Sequence, residues 1–380
     1  MNYITRYAVV CMLVSTMAFG MEPGHSLEPK RKKVDRKEPL PNWLEEQLVQ
    51  AKQSKVLDLE PPLYDVCQKL RFVDQGEALA QRIKTLPLLH AIRLGRLFSV
   101  RVAENAIEPV DRAIATLPYL QSLELKVGAC FGESDDTRWQ SKLSMIRYAR
   151  ALESLRLSYL PASVSRLSQL GCVLAGSQIT HLFLNGNDFG KLGKPELDAL
   201  FGPVAHMRAL CSLGLRSSGL NHFDAVRWHI LGSVIRRIKS LDLGDNDFGF
   251  VPARHFYFEL YDMYDELWLS HMGDNAWQAL ADELVMSEIE ELGMAYNSLD
   301  KVSDRVWALF VRTLEWMKHL KTIDIRGNNF WRVGLKRHEL LAEALMRNRN
   351  RPTLIINVSD DPTGFWANLR DRGLLSVQIR

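Results

Sequence analysis

Side chains that could attack, shuttle a proton or hold a metal ion are present in this sequence, but they are scattered. The five cysteines, Cys11, Cys67, Cys130, Cys172 and Cys211, have wide and unequal spacing, unlike the CxxC knuckles of zinc sites or the dense framework of a small secreted domain. They read as buried thiols, because a free cysteine behaves as a small hydrophobe. His181 and His271 fall on separate expected strands without companion ligands, so no metal site is expected. No GxSxG elbow, P-loop, HExxH pair or glycine-rich dinucleotide turn stands at a suitable place. No catalytic residue, cofactor, metal or small-molecule substrate is assigned, and the chain is not expected to be an enzyme.

Charge narrows the class of partner. The formal net charge is +3, and its excess sits near the start of the chain. Residues 1–20 carry only Arg6, and residues 21–40 hold Lys30, Arg31, Lys32, Lys33, Arg36 and Lys37 against Glu22, Glu28, Asp35 and Glu38. The remainder, 41–380, is formally neutral, which argues against a broad phosphate-binding face and a nucleic-acid partner.

Arg6, the apolar run from Tyr7 to Phe19 and the small residues Ala18 and Gly20 have the pattern of a signal peptide over 1–20, with cleavage expected before Met21. The run is shorter than the roughly 20 residues a membrane helix needs, so no stable span is expected after signal removal. Residues 21–40, with Pro23, Pro29 and Pro39, read as a basic flexible linker. The expected location is therefore secreted, in a periplasm or outside the cell. Alternatively, Lys30-Arg31-Lys32-Lys33 matches a basic nuclear import signal, which would imply a bacterial protein delivered into a host cell and its nucleus.

What must position the remaining side chains is a repeat. Ile179, Leu182, Leu184, Asn187 and Phe189 follow a frame that recurs as Ile238, Leu241, Leu243, Asn246 and Phe248, as Ile289, Leu292, Met294, Asn297 and Leu299, and as Leu320, Ile323, Ile325, Asn328 and Phe330. Copies without the asparagine place their first inward residue at Ile92, Leu123, Leu155, Leu213, Leu267, Leu354 and Val377. The steps average about 29 residues, at the long end of the leucine-rich range, and leave room for a helix after each strand. Trp139, Leu143, Ile146 and Ala149 keep helical spacing, and so do Val306, Leu309, Phe310, Leu314 and Met317.

This grammar resembles the ribonuclease-inhibitor type of leucine-rich repeat over residues 85–380. The resemblance implies an α/β solenoid, a horseshoe with about eleven parallel strands on its concave face and helices on its convex face. Asn187, Asn246, Asn297 and Asn328 would satisfy buried backbone groups in the turns. Gly128, Leu160, Ser218 and Met272 occupy that slot in other repeats, so the ladder should be interrupted there. Residues 41–84 are expected to form a helical N-terminal cap, with Trp43, Leu44, Leu48 and Ala51 on its apolar stripe and a degenerate strand at Val56-Leu57-Asp58-Leu59. A C-terminal cap is expected within 360–380, where Phe365, Trp366 and Leu369 precede the last strand.

The residues between inward positions should form a ribbon facing solvent: Arg93, Glu124, Arg156, Phe183, Gly214, Asp242, Trp268, Gly293, Asp324 and Ile355. Tyr159, Arg216, Asp245, His271, Tyr296 and Arg326 lie slightly further along. Phe183 and Trp268 are the leading contact candidates because exposed apolar area is costly without a use; alternatively, they cover neighbouring side chains. Arg156, Tyr159, Arg216, Asp242, Asp245, His271, Tyr296, Asp324 and Arg326 complete a surface of the composition found at interface hot spots. The chain is expected to act as a monomer that binds a protein on its concave face, as an exported, host-directed effector. The alternatives are a regulator of a partner enzyme, resembling long-repeat GTPase activators, and a purely structural surface protein. The separate catalytic domain of bacterial leucine-rich-repeat ubiquitin ligases is not expected, since the repeat frame takes up residues 85–380.

Overall fold

The computed structural model describes residues 40, 42–59, 73–86, 88–94, 104–127, 136–249, 272–361 and 363–379. The chain divides into Met1–Lys37, outside the described residues, and Glu38–Arg380. In the second unit eleven short strands form one parallel sheet in chain order. They are β1 (Val56–Asp58), β2 (Ala91–Leu94), β3 (Ser122–Lys126), β4 (Ser154–Ser158), β5 (His181–Phe183), β6 (Ser212–Gly214), β7 (Ser240–Asp242), β8 (Glu291–Gly293), β9 (Thr322–Asp324), β10 (Thr353–Ile356) and β11 (Val377–Ile379). A parallel neighbour is reached only by a crossover, which here carries a helix. The helices are α1 (Asn42–Ser54), α2 (Val73–Lys84), α3 (Glu104–Ala115), α4 (Asp136–Tyr148), α5 (Val164–Ala175), α6 (Lys194–Val204), α7 (Ala225–Ile235), α8 (Asp274–Val285), α9 (Asp304–Trp316), α10 (Leu335–Arg347) and α11 (Phe365–Asp371).

Register follows the apolar frame. Leu57, Ile92, Leu123, Leu155, Leu182, Leu213, Leu241, Leu292, Ile323, Leu354 and Val377 are partners from strand to strand. None is more than 7% exposed. Burying such a side chain contributes about 1.5–3 kcal/mol, so this file of residues is the main lock on register. A slip of one residue would turn it toward solvent.

Helices close the core from the other side. On α9 the spacing of Val306, Trp307, Phe310 and Leu314 buries one face, while Ser303 caps the N-terminus by accepting from the Val306 N–H at 3.2 Å. Trp228, Phe248, Trp277, Phe310, Trp307 and Phe330 touch in succession, with ring centroids 5.6–6.4 Å apart. At the first end, Leu44, Leu48 and Ala51 are buried and the degenerate strand at Val56 to Asp58 is β1. At the other end Trp366 is fully buried on α11.

Three expectations need correction. Leu267, Trp268 and Leu269 lie outside the described residues, but β7 pairs directly with β8, Leu241 against Leu292. No strand therefore stands between those two. Met272 is not in the asparagine slot, because it is the buried residue that precedes α8, as Leu192 precedes α6. Gly190 and Leu192 are separated by one residue, whereas the equivalent Gly249 and Met272 are separated by residues 250–271. Finally, Cys172 and Cys211 are free but exposed rather than buried, and Cys11, Cys67 and Cys130 lie outside the described residues.

Candidate interaction surface

Alternation along each strand divides side chains between core and solvent, and the sheet gathers the solvent-facing ones into rows. One row runs Asp58, Arg93, Glu124, Arg156, Phe183, Gly214, Asp242, Gly293, Asp324, Ile355 and Gln378, each the register partner of the next. Ile355 departs from the expected exposure, at 9%. Arg216 and Arg326 lie two residues beyond this row, and Tyr159, Asp245 and Tyr296 one further, where the chain turns. Trp268 and His271 lie outside the described residues.

Over the first strands the row is a chain of exposed ion pairs. Arg93 is 3.7 Å from Asp58 and 3.9 Å from Glu124, and Arg156 is also 3.9 Å from Glu124. Pairs of this kind contribute about 0–1 kcal/mol each, so exchanging them for the charges of a partner costs little. The Arg156 guanidinium lies 5.0 Å from the centre of the Phe183 ring, on which it stacks. Phe183 in turn covers Gly214, where a Cβ would stand 2.7 Å from the ring. Phe183 is thus half-buried by covering its neighbour.

In the centre the Arg216 guanidinium reaches past β7 to lie 5.1 Å from the Tyr296 ring centre. Its backbone N–H donates to Asn185 Oδ1 at 3.0 Å. Asp242 accepts from the Gly244 N–H at 2.9 Å, and Asp245 accepts from the Ser217 hydroxyl at 2.6 Å. Arg326 forks onto Asp324 at 2.9 and 2.6 Å, and this hydrogen bond raises its guanidinium above the ordinary value against the opposing effect of burial. Asp247, beside this face, is raised chiefly by burial and then by the charge of Asp245.

The turn position after the strand is left-handed in repeat after repeat. Gly186, Ser217, Asp245 and Gly327 hold it with φ of 70°, 53°, 57° and 68°. Tyr159 and Tyr296 hold the same position at 61° and 58°, and are 43% and 45% exposed. A left-handed backbone costs a residue with a Cβ about 1–2 kcal/mol. More than two-fifths of each tyrosine nonetheless stays in solvent.

Beneath the turns the asparagines do their expected work. Asn328 Oδ1 accepts the Asn297 N–H at 2.8 Å, and Asn297 Oδ1 accepts the Asn246 N–H at 2.8 Å. Asn246 Oδ1 accepts the Ser218 N–H at 2.9 Å, and Asn187 Oδ1 accepts the Leu160 N–H at 2.7 Å. Their amides donate onward to strand carbonyls, as Asn187 does to Leu157 and Leu184. Ser218 keeps the donor half of the ladder, its hydroxyl donating to the Leu184 carbonyl at 3.2 Å, but accepts no N–H from Asn187 as an asparagine there would, so the ladder is interrupted between these two repeats as expected. Asp360 ends it by accepting from Gly327 and Phe330. The surface above is therefore held on a rigid floor.

Among the described residues no group of three His, Cys, Asp or Glu is placed to hold a metal ion, and no helix is long and apolar enough to cross a membrane. Neither a protein-family model nor a curated protein sequence matches the chain. Among solved structures, it is similar to the leucine-rich repeat-containing protein LegL7 of Legionella pneumophila. The TM-score is 0.51 at 17% identity, over 76% of this chain and 81% of that one. The fold is a leucine-rich-repeat solenoid. A leucine-rich-repeat protein of Leptospira interrogans is 13% identical over 78% of this chain and 80% of its own, with a TM-score of 0.37.

Reading the repeat from sequence missed Asn185, Ser217 and Glu291 on this face of the solenoid, and it missed the shared backbone geometry of the tyrosines. The signal for the latter is in the alignment of repeats, since Gly186 and Gly327 stand four residues beyond the first inward leucine or isoleucine, as Tyr159 and Tyr296 do.

Proposed function

We propose that this leucine-rich-repeat protein binds another protein on its concave face, and that it is exported to do so. Tyr159 and Tyr296 carry the proposal. Both are bulky, part-exposed and held in a left-handed turn that glycine fills in other repeats. A backbone and solvation cost maintained twice on one surface supports a role there, because such strain persists where it is put to use. The surrounding Arg156, Phe183, Arg216, Asp242, Asp245, Asp324 and Arg326 supply the arginine, aromatic and acidic mixture from which hot spots are drawn.

The location rests on the first forty residues: a signal peptide over 1–20, export as a monomer, and a basic linker over 21–40 that import machinery would read in a host cell. The test is to replace Tyr159 and Tyr296 one at a time with a photo-crosslinking phenylalanine and to capture partners from lysate with the linker present and absent. A protein crosslinked from both positions, whose pull-down by the chain without a crosslinker is lost on Tyr159→Gly/Tyr296→Gly, is the expected result, with melting temperature unchanged or raised because glycine relieves the backbone strain. Capture that survives both glycines places the binding elsewhere. If a small GTPase is recovered, its hydrolysis rate with and without this protein decides whether the capture is regulatory.

A further inference from the structure

On the helical side of the sheet, Ala281 and Val285 of α8 and Leu309 and Thr313 of α9 lie at helical spacing. They form the apolar floor of a groove of about 500 Å³ between the two helices. Thr313 contributes its methyl group there, because its hydroxyl is spent on the Leu309 carbonyl at 2.8 Å. Met286 and Trp316 stand at one end of the groove, 68% and 56% exposed. Single exposed apolar side chains are ordinary on a protein surface, but two that border one apolar floor make a patch of the kind that marks an interaction site.

Both residues stand just before the buried residue that follows the helix, a place held by Thr85, Thr116, His206 and Arg347 in other repeats. Tyr148 holds it too, but the groove it borders, between α3 and α4, is lined by Thr137, Gln140, Ser141 and Ser144, and its Arg112 is held by Glu108. The groove between α8 and α9 differs in both respects. Asp282 stands on its α8 wall, accepting from the Gln278 amide at 2.8 Å. Arg312 stands on its α9 wall, and among the described residues no carboxylate pairs with it, since Asp304 and Glu315 of the same helix pair with Arg337 and Arg347. The groove is thus acidic on one wall, basic on the other and apolar between.

We infer that this groove receives an amphipathic helix of a partner protein, with an apolar stripe on the floor, basic residues on the flank beside Asp282 and acidic residues on the flank beside Arg312. From Gln278 to Met286 the groove runs about 12 Å, a little over two turns, over which such a helix supplies anchors at i, i+3 or i+4, and i+7. The groove is open along its length, which suits a rod laid between two helices rather than an enclosed small molecule. The inference does not depend on the concave-face reading, from which the sheet separates it.

The probe is a fluorescein-labelled, side-chain-stapled helical peptide of about 15 residues, with leucines along one stripe, lysines along one flank and glutamates along the other. Its control has the same residues with the leucines spread around the helix. Fluorescence anisotropy with the full chain is expected to show the striped peptide bound about tenfold tighter than the control. Met286→Ser/Trp316→Ser removes that advantage at unchanged melting temperature, since both side chains already stand in solvent. Arg312→Asp and Asp282→Arg each lower the affinity about threefold, because one flank then meets its own sign. Together they restore it, since the peptide turned end for end presents its flanks exchanged. Tyr159→Gly/Tyr296→Gly leaves it unchanged, so failure here and failure of the concave-face reading are told apart. Equal affinity for the two peptides, or a preference indifferent to either pair of substitutions in the groove, overturns the inference. So does self-association of the chain that Met286→Ser/Trp316→Ser abolishes, which would put a second copy in the groove.

Discussion

The ring of Tyr296 lies against the backbone of Gly327, so close that a Cβ on that glycine would stand 2.3 Å from Tyr296 Cδ1. Gly327 has a φ of 68° and receives the ring where a side chain would exclude it. Gly327→Ala is expected to lower stability by about 1–2 kcal/mol from its backbone alone and to swing Tyr296 out of place. Chemical denaturation of Gly327→Ala in the parent and in Tyr296→Ala is the check. The penalty should be smaller in the second background, where there is no ring to displace.

Asn297 stands in the middle of the turn ladder, accepting from Asn246 and donating to the Leu243 carbonyl at 2.9 Å. Asn297→Ala leaves the buried Asn246 N–H without its acceptor and takes one of two amide donors from the Leu243 carbonyl, which Asn246 still serves, at a cost of about 2–3 kcal/mol. Ser218→Ala removes only a hydroxyl donor and should cost about 1 kcal/mol. Urea titrations that give the two equal losses would mean that the ladder carries no special load.

His338 is buried between Phe330, Phe365 and Trp366, and its Nε2–H donates to the Phe330 carbonyl at 3.0 Å. Burial lowers its pKa below the ordinary 6.5, against the opposing effects of that hydrogen bond and of Asp361. The folded chain favours the neutral ring, so as pH falls below 6.5 the unfolded chain takes up a proton that the folded chain does not. The contribution is fully present above that pH and is lost below it. His338→Gln keeps an amide donor without titrating, and its melting temperature should fall less than that of the parent between about pH 7.5 and about pH 5.5.

On the helical side, Glu283 of α8 is 1% exposed and fits against Gly232 of α7, where a Cβ would meet its carboxyl carbon at 2.2 Å. Arg236 forks onto the carboxylate at 2.7 and 2.9 Å, and His229 contributes a third contact at 2.9 Å. Gly232→Ala should cost about 1–3 kcal/mol by overpacking. In the Glu283→Ala background most of that loss should vanish. Additive losses in thermal melts would show that the two residues do not share the space.

The repeat was legible because a single buried file, Leu57 to Val377, enforces both identity and spacing. The error at Leu267 shows the limit of that logic. Leu267-Trp268-Leu269 satisfies the strand pattern locally, but strand membership is decided by pairing, and β7 pairs with β8. A warning lay in the two shortest internal steps, which fall on either side of Leu267 and together make one repeat plus an addition. For the surface, the outward rows follow from alternation, so Arg156, Phe183, Asp242 and Asp324 were placed correctly in their row. Stacking was not readable, because Arg216 reaches a ring two strands away. Nor was the exposure of Cys172 and Cys211, since each lies on the outer side of a frame whose inward positions are already filled.

The addition between Gly249 and Met272 leaves its surroundings in step: Gly249 donates to the Asn297 carbonyl at 2.9 Å, and β7 and β8 meet in the same alignment as every other pair. The backbone of each rung is hydrogen-bonded to the rungs beside it, so an addition within one is not felt as a shift in the next. That makes this seam a graft point: a foreign loop or an affinity handle spliced there would ride on the molecule without redrawing the surface that its neighbours build.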